Sequence, residues 1–295
     1  MIAGSAARGR RAACVVGTIL ALIATGCNGG DGDGGGSKSG ERPGDKPAIR
    51  NLLVTAFKSD DPDRLCSRVF TRQLFRQIFE STAACRKVVA DDEDEEPPKR
   101  VEVSGIDVSG QRGRARARLV GGETAGAAGV VSVAREEEAW RLDDLSIGFL
   151  RSSVKAGLAH QKDIPGPVAG CIGTRLARVP DGRFKDFAYG SLGRRPDSER
   201  FLLTMLTACE RAEGRPPTIR REIDQEVAKS LRQAGVKPQV VRCVLGRLRR
   251  SLSDEKLIDV ISADVAERRA RLRRLLVAAV AGCRGARGGQ GGSIS

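Results

Sequence analysis

Between residues 49 and 90, apolar side chains recur at steps of three and four. Ile49, Leu52, Leu53 and Phe57 share one face, the pattern of an amphipathic helix. Ser59-Asp60-Asp61-Pro62 breaks that helix and caps the next, which carries Leu65, Cys66, Val69 and Phe70. Thr71 caps a third helix with Leu74, Ile78 and Phe79. From Val101 the period falls to two. Val101 and Val103 alternate with polar residues, and Ile106 and Val108 continue in shifted phase across Gly105. Arg112, Arg114, Arg116 and Arg118 alternate with Gly113, Ala115, Ala117 and Leu119, which predicts a strand with one basic face. Val130, Val131 and Val133 begin a further strand, Glu136-Glu137-Glu138 makes a polar turn, and Trp140 and Leu142 share a face of the last strand. Helices followed by a strand meander predict an α+β domain over residues 48–147.

Beyond residue 165 the helical period returns and the sequence occurs twice. Cys171-Ile172-Gly173-Thr174-Arg175-Leu176-Ala177-Arg178 is matched by Cys243-Val244-Leu245-Gly246-Arg247-Leu248-Arg249-Arg250. Asp186-Phe187 is matched by Asp259-Val260, and Cys209 by Cys283. A repeat of this length predicts one small fold used twice, hence an all-α tandem with copies at 148–222 and 223–285. Pro167 and Pro238 suit helix starts, and Asp181 and Ser253 are read as caps of the short middle helix of each copy. These copies resemble the small helical disulfide modules of secreted actinobacterial proteins.

The N-terminal stretch sets the expected address. Arg8, Arg10 and Arg11 precede an apolar run from Ala12 to Gly26, with small residues before Cys27. A basic start, a short apolar core and small residues at the cut are the marks of a secretory signal over residues 1–26. Ala24-Thr25-Gly26-Cys27 resembles a bacterial lipobox. That resemblance implies a lipid on Cys27 and a chain held at the extracytoplasmic face of a cell membrane; the alternative is simple secretion. Asn28 to Pro47 is glycine-rich, polar and free of apolar residues, so residues 27–47 are expected to act as a flexible tether. No strand precedes this stretch and no Gly-Lys-Ser/Thr ends it, which excludes a nucleotide loop. Residues 286–295 are expected to be a disordered tail.

Charge and cysteine usage sharpen the picture. The net charge is +14. Residues 1–150 hold 22 basic and 22 acidic side chains, whereas residues 151–295 hold 29 and 15, so the excess belongs to the second half. Cys14 would leave with the signal and Cys27 would carry lipid, which leaves six cysteines in an expected compartment where disulfides persist. Six allow fifteen pairings. A local bond closing a helical hairpin joins Cys66 to Cys85. The repeat makes Cys171–Cys209 and Cys243–Cys283 equivalent bonds.

Residues 47–147 resemble the nuclear transport factor 2-like superfamily, a cone-shaped α+β fold. The helical start with Leu52 and Phe57, the helix-then-sheet order, and the terminal strand Glu136-Glu137-Glu138-Ala139-Trp140-Arg141-Leu142-Asp143-Asp144-Leu145-Ser146 carry the likeness. The family contains enzymes, ligand binders and interaction domains, so the likeness leaves function open. No histidine lies in this region, which leaves no Asp/His pair for acid–base work.

Candidate chemistry is sparse elsewhere. His160 is the sole histidine and reads as a surface residue. The acidic run Asp91 to Glu96 lacks the alternation and central glycine of an EF-hand loop and reads as a solvated loop. No G-x-S-x-G elbow occurs. The arginines Arg247, Arg249, Arg250, Arg271, Arg273 and Arg274 are the candidates for contact with an anionic lipid or wall polymer. The scarcity of aromatic side chains and the expected export argue against nucleic acid. The expectation is therefore a lipid-anchored interaction or ligand-binding protein with an unknown protein partner, no catalytic residues, no metal and no cofactor. A cone used as an enzyme or ligand site, and a passive envelope spacer, are the alternatives.

Overall fold

A computed structural model describes residues 41–59, 61–91, 96–161, 163–263 and 265–285. The predicted signal, Cys27, the glycine-rich stretch up to residue 40, most of the acidic run and the tail 286–295 lie outside the described residues. The described chain divides into two compact units, 41–198 and 199–285. No helix among the described residues is long and apolar enough to cross a membrane.

The first unit opens with α1 (Asp45–Lys58), which buries Ile49, Leu53, Ala56 and Phe57. The helix starts earlier than its apolar pattern suggests, inside the expected tether. Asp61 caps α2 (Pro62–Arg64), its carboxylate accepting from the backbone N–H groups of Asp63 and Arg64. This helix runs on into one π-helical turn, Leu65–Val69, which buries Leu65, Cys66 and Val69. The hydroxyl of Thr71 accepts from the Leu74 N–H to cap α3 (Arg72–Ile78), and Ser81 caps α4 (Thr82–Ala90) in the same way. Such caps satisfy amides that the first helical turn leaves without partners. Cys66 is bonded to Cys85, tying the π turn to α4.

Four strands follow: β1 (Arg100–Ser109), β2 (Arg112–Val120), β3 (Ala128–Glu136) and β4 (Ala139–Leu145). They form one antiparallel sheet in the order β1-β2-β3-β4. The register of β1 against β2 shifts between Ser104 and Asp107, where the sequence pattern changes phase. The β3–β4 turn places Glu137 and Glu138 at φ 52° and 62°, the geometry of a tight hairpin. Leu142 also pairs with Phe70 in a single parallel bridge.

One sheet face is covered by α1 and by α5 (Ile147–His160). Ile49 lies against Gly113, and the rings of Phe57 and Phe149 stand 5.3 Å apart. A Cβ on Gly129 would stand 2.7 Å from Phe149 Cα, so only glycine lets α5 approach β3 this closely. Val108, Ala115, Leu119, Val131, Val133 and Leu142 complete this layer at 2% exposure or less. Each large side chain so buried contributes about 1.5–3 kcal/mol.

This packing corrects the expected boundary at 147/148. Because Phe149, Leu150 and Val154 are buried and α5 covers the sheet, α5 belongs to the sheet's core. Two further helices, α6 (Gly166–Ala177) and α7 (Asp181–Leu192), pack against α5. Asp181 is the first residue of α7 rather than its cap; it is ion-paired with Arg151 at 2.8 Å. Tyr189 on α7 donates to the Asp144 carboxylate at 2.5 Å and accepts from the Leu145 N–H at 3.1 Å. Burial and that donated hydrogen bond push the phenol above its ordinary range.

The second unit is helical: most of α8 (Pro196–Ala212), then α9 (Thr218–Gln233), α10 (Pro238–Ser251), α11 (Asp254–Ile261) and α12 (Val265–Gly285). The expected boundary at 222/223 falls inside α9, whose Ile219 and Val227 are both buried. Leu203, Ile219, Val244, Leu248, Leu257 and Ile258 share its core with Ala279 and Cys283. Ser253 caps α11 through the Lys256 N–H. Glu210 caps α9 from outside, accepting from the Thr218 N–H at 2.9 Å and from its hydroxyl. Cys243 is bonded to Cys283, and Cys171 and Cys209 are disulfide-bonded as well.

Candidate functional site

Three features of the described residues bear on function: a buried ionic clamp, an open groove beside it, and a set of arginines on the helices of the second unit.

The clamp is built where α1 begins. Asp45 bonds Arg135 on β3, and its Oδ1 accepts from Trp140 Nε1 at 3.0 Å. Its Oδ2 accepts from the Arg42 N–H at 2.9 Å. The Arg135 guanidinium lies 4.7 Å from the Trp140 ring centroid, close enough for a cation–π contact. Both charged side chains are buried, at 7% exposure for Asp45 and 5% for Arg135. The Arg135 Nε has no hydrogen-bond partner among the described residues. Burial works to raise the Asp45 pKa. The Arg42 amide, the Trp140 indole and the charges of Arg135 and Arg42 outweigh it and hold the carboxyl below its ordinary value.

The second unit contains a comparable carboxylate. Asp254 accepts from Arg220 Nη2 at 2.7 Å and bonds Arg211. Burial again opposes ionisation, and the two arginines prevail, so its pKa is lowered. A carboxyl with a depressed native pKa contributes stability above its unfolded value of about 3.9, and that contribution disappears as pH falls through the native value. Stability should therefore hold from pH 7 to about 5 and decline below about 4. Asp45→Asn and Asp254→Asn should each be less stable at pH 7 and converge on the parent in acid, as read by chemical denaturation across pH. An unchanged gap between parent and variants at low pH would contradict this assignment.

The groove lies between α1, the segment 61–69 and the β3–β4 hairpin, with a volume of about 650 Å³. Its charged rim is largely occupied. Asp63 pairs with Arg86 at 2.7 Å, Glu138 with Arg42 at 2.8 Å, and Asp61 caps α2. Asn51, Thr55 and Arg68 line the groove and remain available as polar groups. Nothing there pairs a nucleophile with a base. Among the described residues, no group of His, Cys, Asp and Glu is placed to hold a metal ion.

The predicted anion contacts divide. Arg249 is held by Asp224 at 2.8 Å, and Arg271 bonds Glu267 one turn away. Arg247 is exposed, with its guanidinium against the backbone of Gly282, where a Cβ would collide with it. Arg250, Arg273 and Arg274 are exposed. His160 is exposed at the end of α5, with Nδ1 2.9 Å from the Ala156 carbonyl oxygen.

Two site residues escaped the sequence reading. Asp45 sits in a glycine-rich run that reads as tether, although Pro43-Gly44-Asp45 suits a helix start. Arg135 reads as the polar end of a strand, yet it shares parity with Val131 and Val133; extending the alternation by one step puts it on the covered face. No protein-family model, curated protein or solved structure matches this chain.

Proposed function

We propose that the protein is a lipid-anchored interaction module of a bacterial envelope, tethered through Cys27 on the extracytoplasmic side and without catalytic activity. The observation that carries this reading is the filled interior of the first unit. In a nuclear transport factor 2-like domain, the fold we propose for it, a ligand or active site would occupy the space between helices and sheet. Here that space holds Ile49, Leu53, Val131 and Phe149, each at 0% exposure. The buried polar groups beside it, Asp45 and Arg135, are bonded to each other. What the domain offers to partners is its outside.

The helical part is proposed to be a duplicated module. α6 starts at Gly166, five residues before Cys171, and α10 starts at Pro238, five before Cys243. In each case two helices follow, the second longer than the first. The exposed members of the predicted arginine set, Arg247, Arg250, Arg273 and Arg274, would hold this part against an anionic lipid surface.

A second reading has its own observation. The groove beside Trp140 keeps Asn51, Thr55 and Arg68 at its wall, and could take a small polar ligand. The address is tested first. Cys27→Ala should move the protein from the membrane to the soluble fraction or leave the precursor uncut. The mature parent should begin at Cys27 with added acyl mass. An unmodified mature N-terminus by intact-mass measurement would overturn the anchor.

A further inference from the structure

Residues 1–150 are neutral by count, yet the open sheet face within them is not. The outward positions of β2 are Arg112, Arg114, Arg116 and Arg118, all exposed, alternating with the buried Gly113, Ala115, Ala117 and Leu119. None of the four forms an ion pair among the described residues. A two-residue step along a strand is about 6.8 Å, so the four guanidinium groups recur over roughly 20 Å in one line.

Their neighbours give the line two different sides. On β1, Glu102 stands opposite Arg118 and Asp107 opposite Arg114. On β3 the partners of the four are Ala134, Ser132, Val130 and Ala128, small or uncharged throughout. Several acids of this stretch are held elsewhere, Asp45 in the clamp, Asp63 with Arg86 and Glu138 with Arg42. Within this stretch charge is also sorted by face.

We infer that the outer face of β2 and β3 is a docking strip for a linear polyanion of the phosphodiester wall-polymer type. Guanidinium forks match phosphate oxygens in geometry as well as charge. A flat lipid surface would meet the whole face, Glu102 and Asp107 included. A single extended chain can lie along β2 and β3 and leave the acids to one side. The row of arginines is one strand wide and uniform in step, which suits a polymer with evenly spaced charges. The choice of polymer rests on the extracytoplasmic address proposed above; the strip itself does not.

The test uses the full chain and purified poly(glycerol phosphate), with co-sedimentation or calorimetry over a range of salt. The parent should bind at low salt and release as salt rises. Arg114→Gln with Arg116→Gln should weaken binding roughly tenfold and lower the slope of log affinity against log salt by about 1.4, at roughly 0.7 per phosphate contact on a flexible strand. Both side chains are exposed, and circular dichroism checks that the fold persists. A comparison variant replaces Arg247, Arg250, Arg273 and Arg274 with glutamine, and should keep most of the binding. If that variant loses binding while the β2 variant does not, the strip is wrong and the basic helices are the docking surface. Two further arms separate the sources of anionic charge. β2-dependent binding to vesicles of equal phosphatidylglycerol and phosphatidylcholine, without polymer binding, would overturn the inference in favour of lipid. Equal affinity for single-stranded DNA would reduce the strip to an unselective basic face and overturn it too. Absence of binding in every arm would also overturn it and leave the Cys27 anchor untouched.

Discussion

Replacing Trp140 with alanine is expected to lower the stability of the first unit by about 3–5 kcal/mol, the usual cost of removing a large buried aromatic side chain. The ring is 7% exposed, and its loss removes more than apolar contact. The indole N–H is one of the bonds that satisfy Asp45, and the ring face carries the guanidinium of Arg135. Trp140→Phe should cost less, because it keeps a ring for Arg135 and forfeits only the indole hydrogen bond. Asp45→Ala should be damaging in a different way, leaving Arg135 as a buried cation without its counter-ion; breaking such pairs costs about 3–5 kcal/mol. Chemical denaturation of the three variants gives the comparison. A Trp140→Ala protein as stable as the parent would mean that the clamp does not hold α1 to the sheet.

The second large effect belongs to the disulfides. Cys66–Cys85 closes 19 residues and Cys243–Cys283 closes 40. Restricting the unfolded chain by loops of these lengths is worth about 3 and about 4 kcal/mol respectively at 25 °C. Reduction should destabilise both units. Replacing either pair with serine should lower the melting temperature of the unit that contains it, because each bond lies wholly within one unit. Scanning calorimetry of the two variants would display the separation. A replacement that leaves the melting of its own unit unchanged would contradict this assignment.

Much of the first unit is legible in the sequence because its signals are local. Thr71 occurs where a cap is needed, the phase of the apolar residues changes at Gly105, and arginine and small residues alternate along β2. Each of these reads directly onto an element. Boundaries proved harder, for a physical reason. α5 has an apolar pattern that fits a helical bundle or a sheet cover equally well, and only Gly129, distant in sequence, determines which. The division at 222/223 follows the repeat in sequence, whereas α9 follows its own run of buried residues. The clamp needed the pairing of Asp45 with Arg135, separated by 90 residues, and no local pattern announces such a partnership. The charge count by halves pointed to residues 151–295. It could not register that acids and arginines of the first unit lie on different surfaces.

The position of the clamp has a mechanical consequence. Any pull transmitted along the chain from its N-terminal side enters the first unit at residues 41–45. The first firm attachment it meets is the carboxylate of Asp45, bonded at once to a strand, to a strand-borne ring and to the backbone of Arg42. Arg42 itself is held to Glu138 at the tip of the β3–β4 hairpin. Force arriving there is shared between helix and sheet instead of peeling α1 away one turn at a time. A unit hung from a surface by its leading end would have a buried, multiply bonded fastening at the point of suspension.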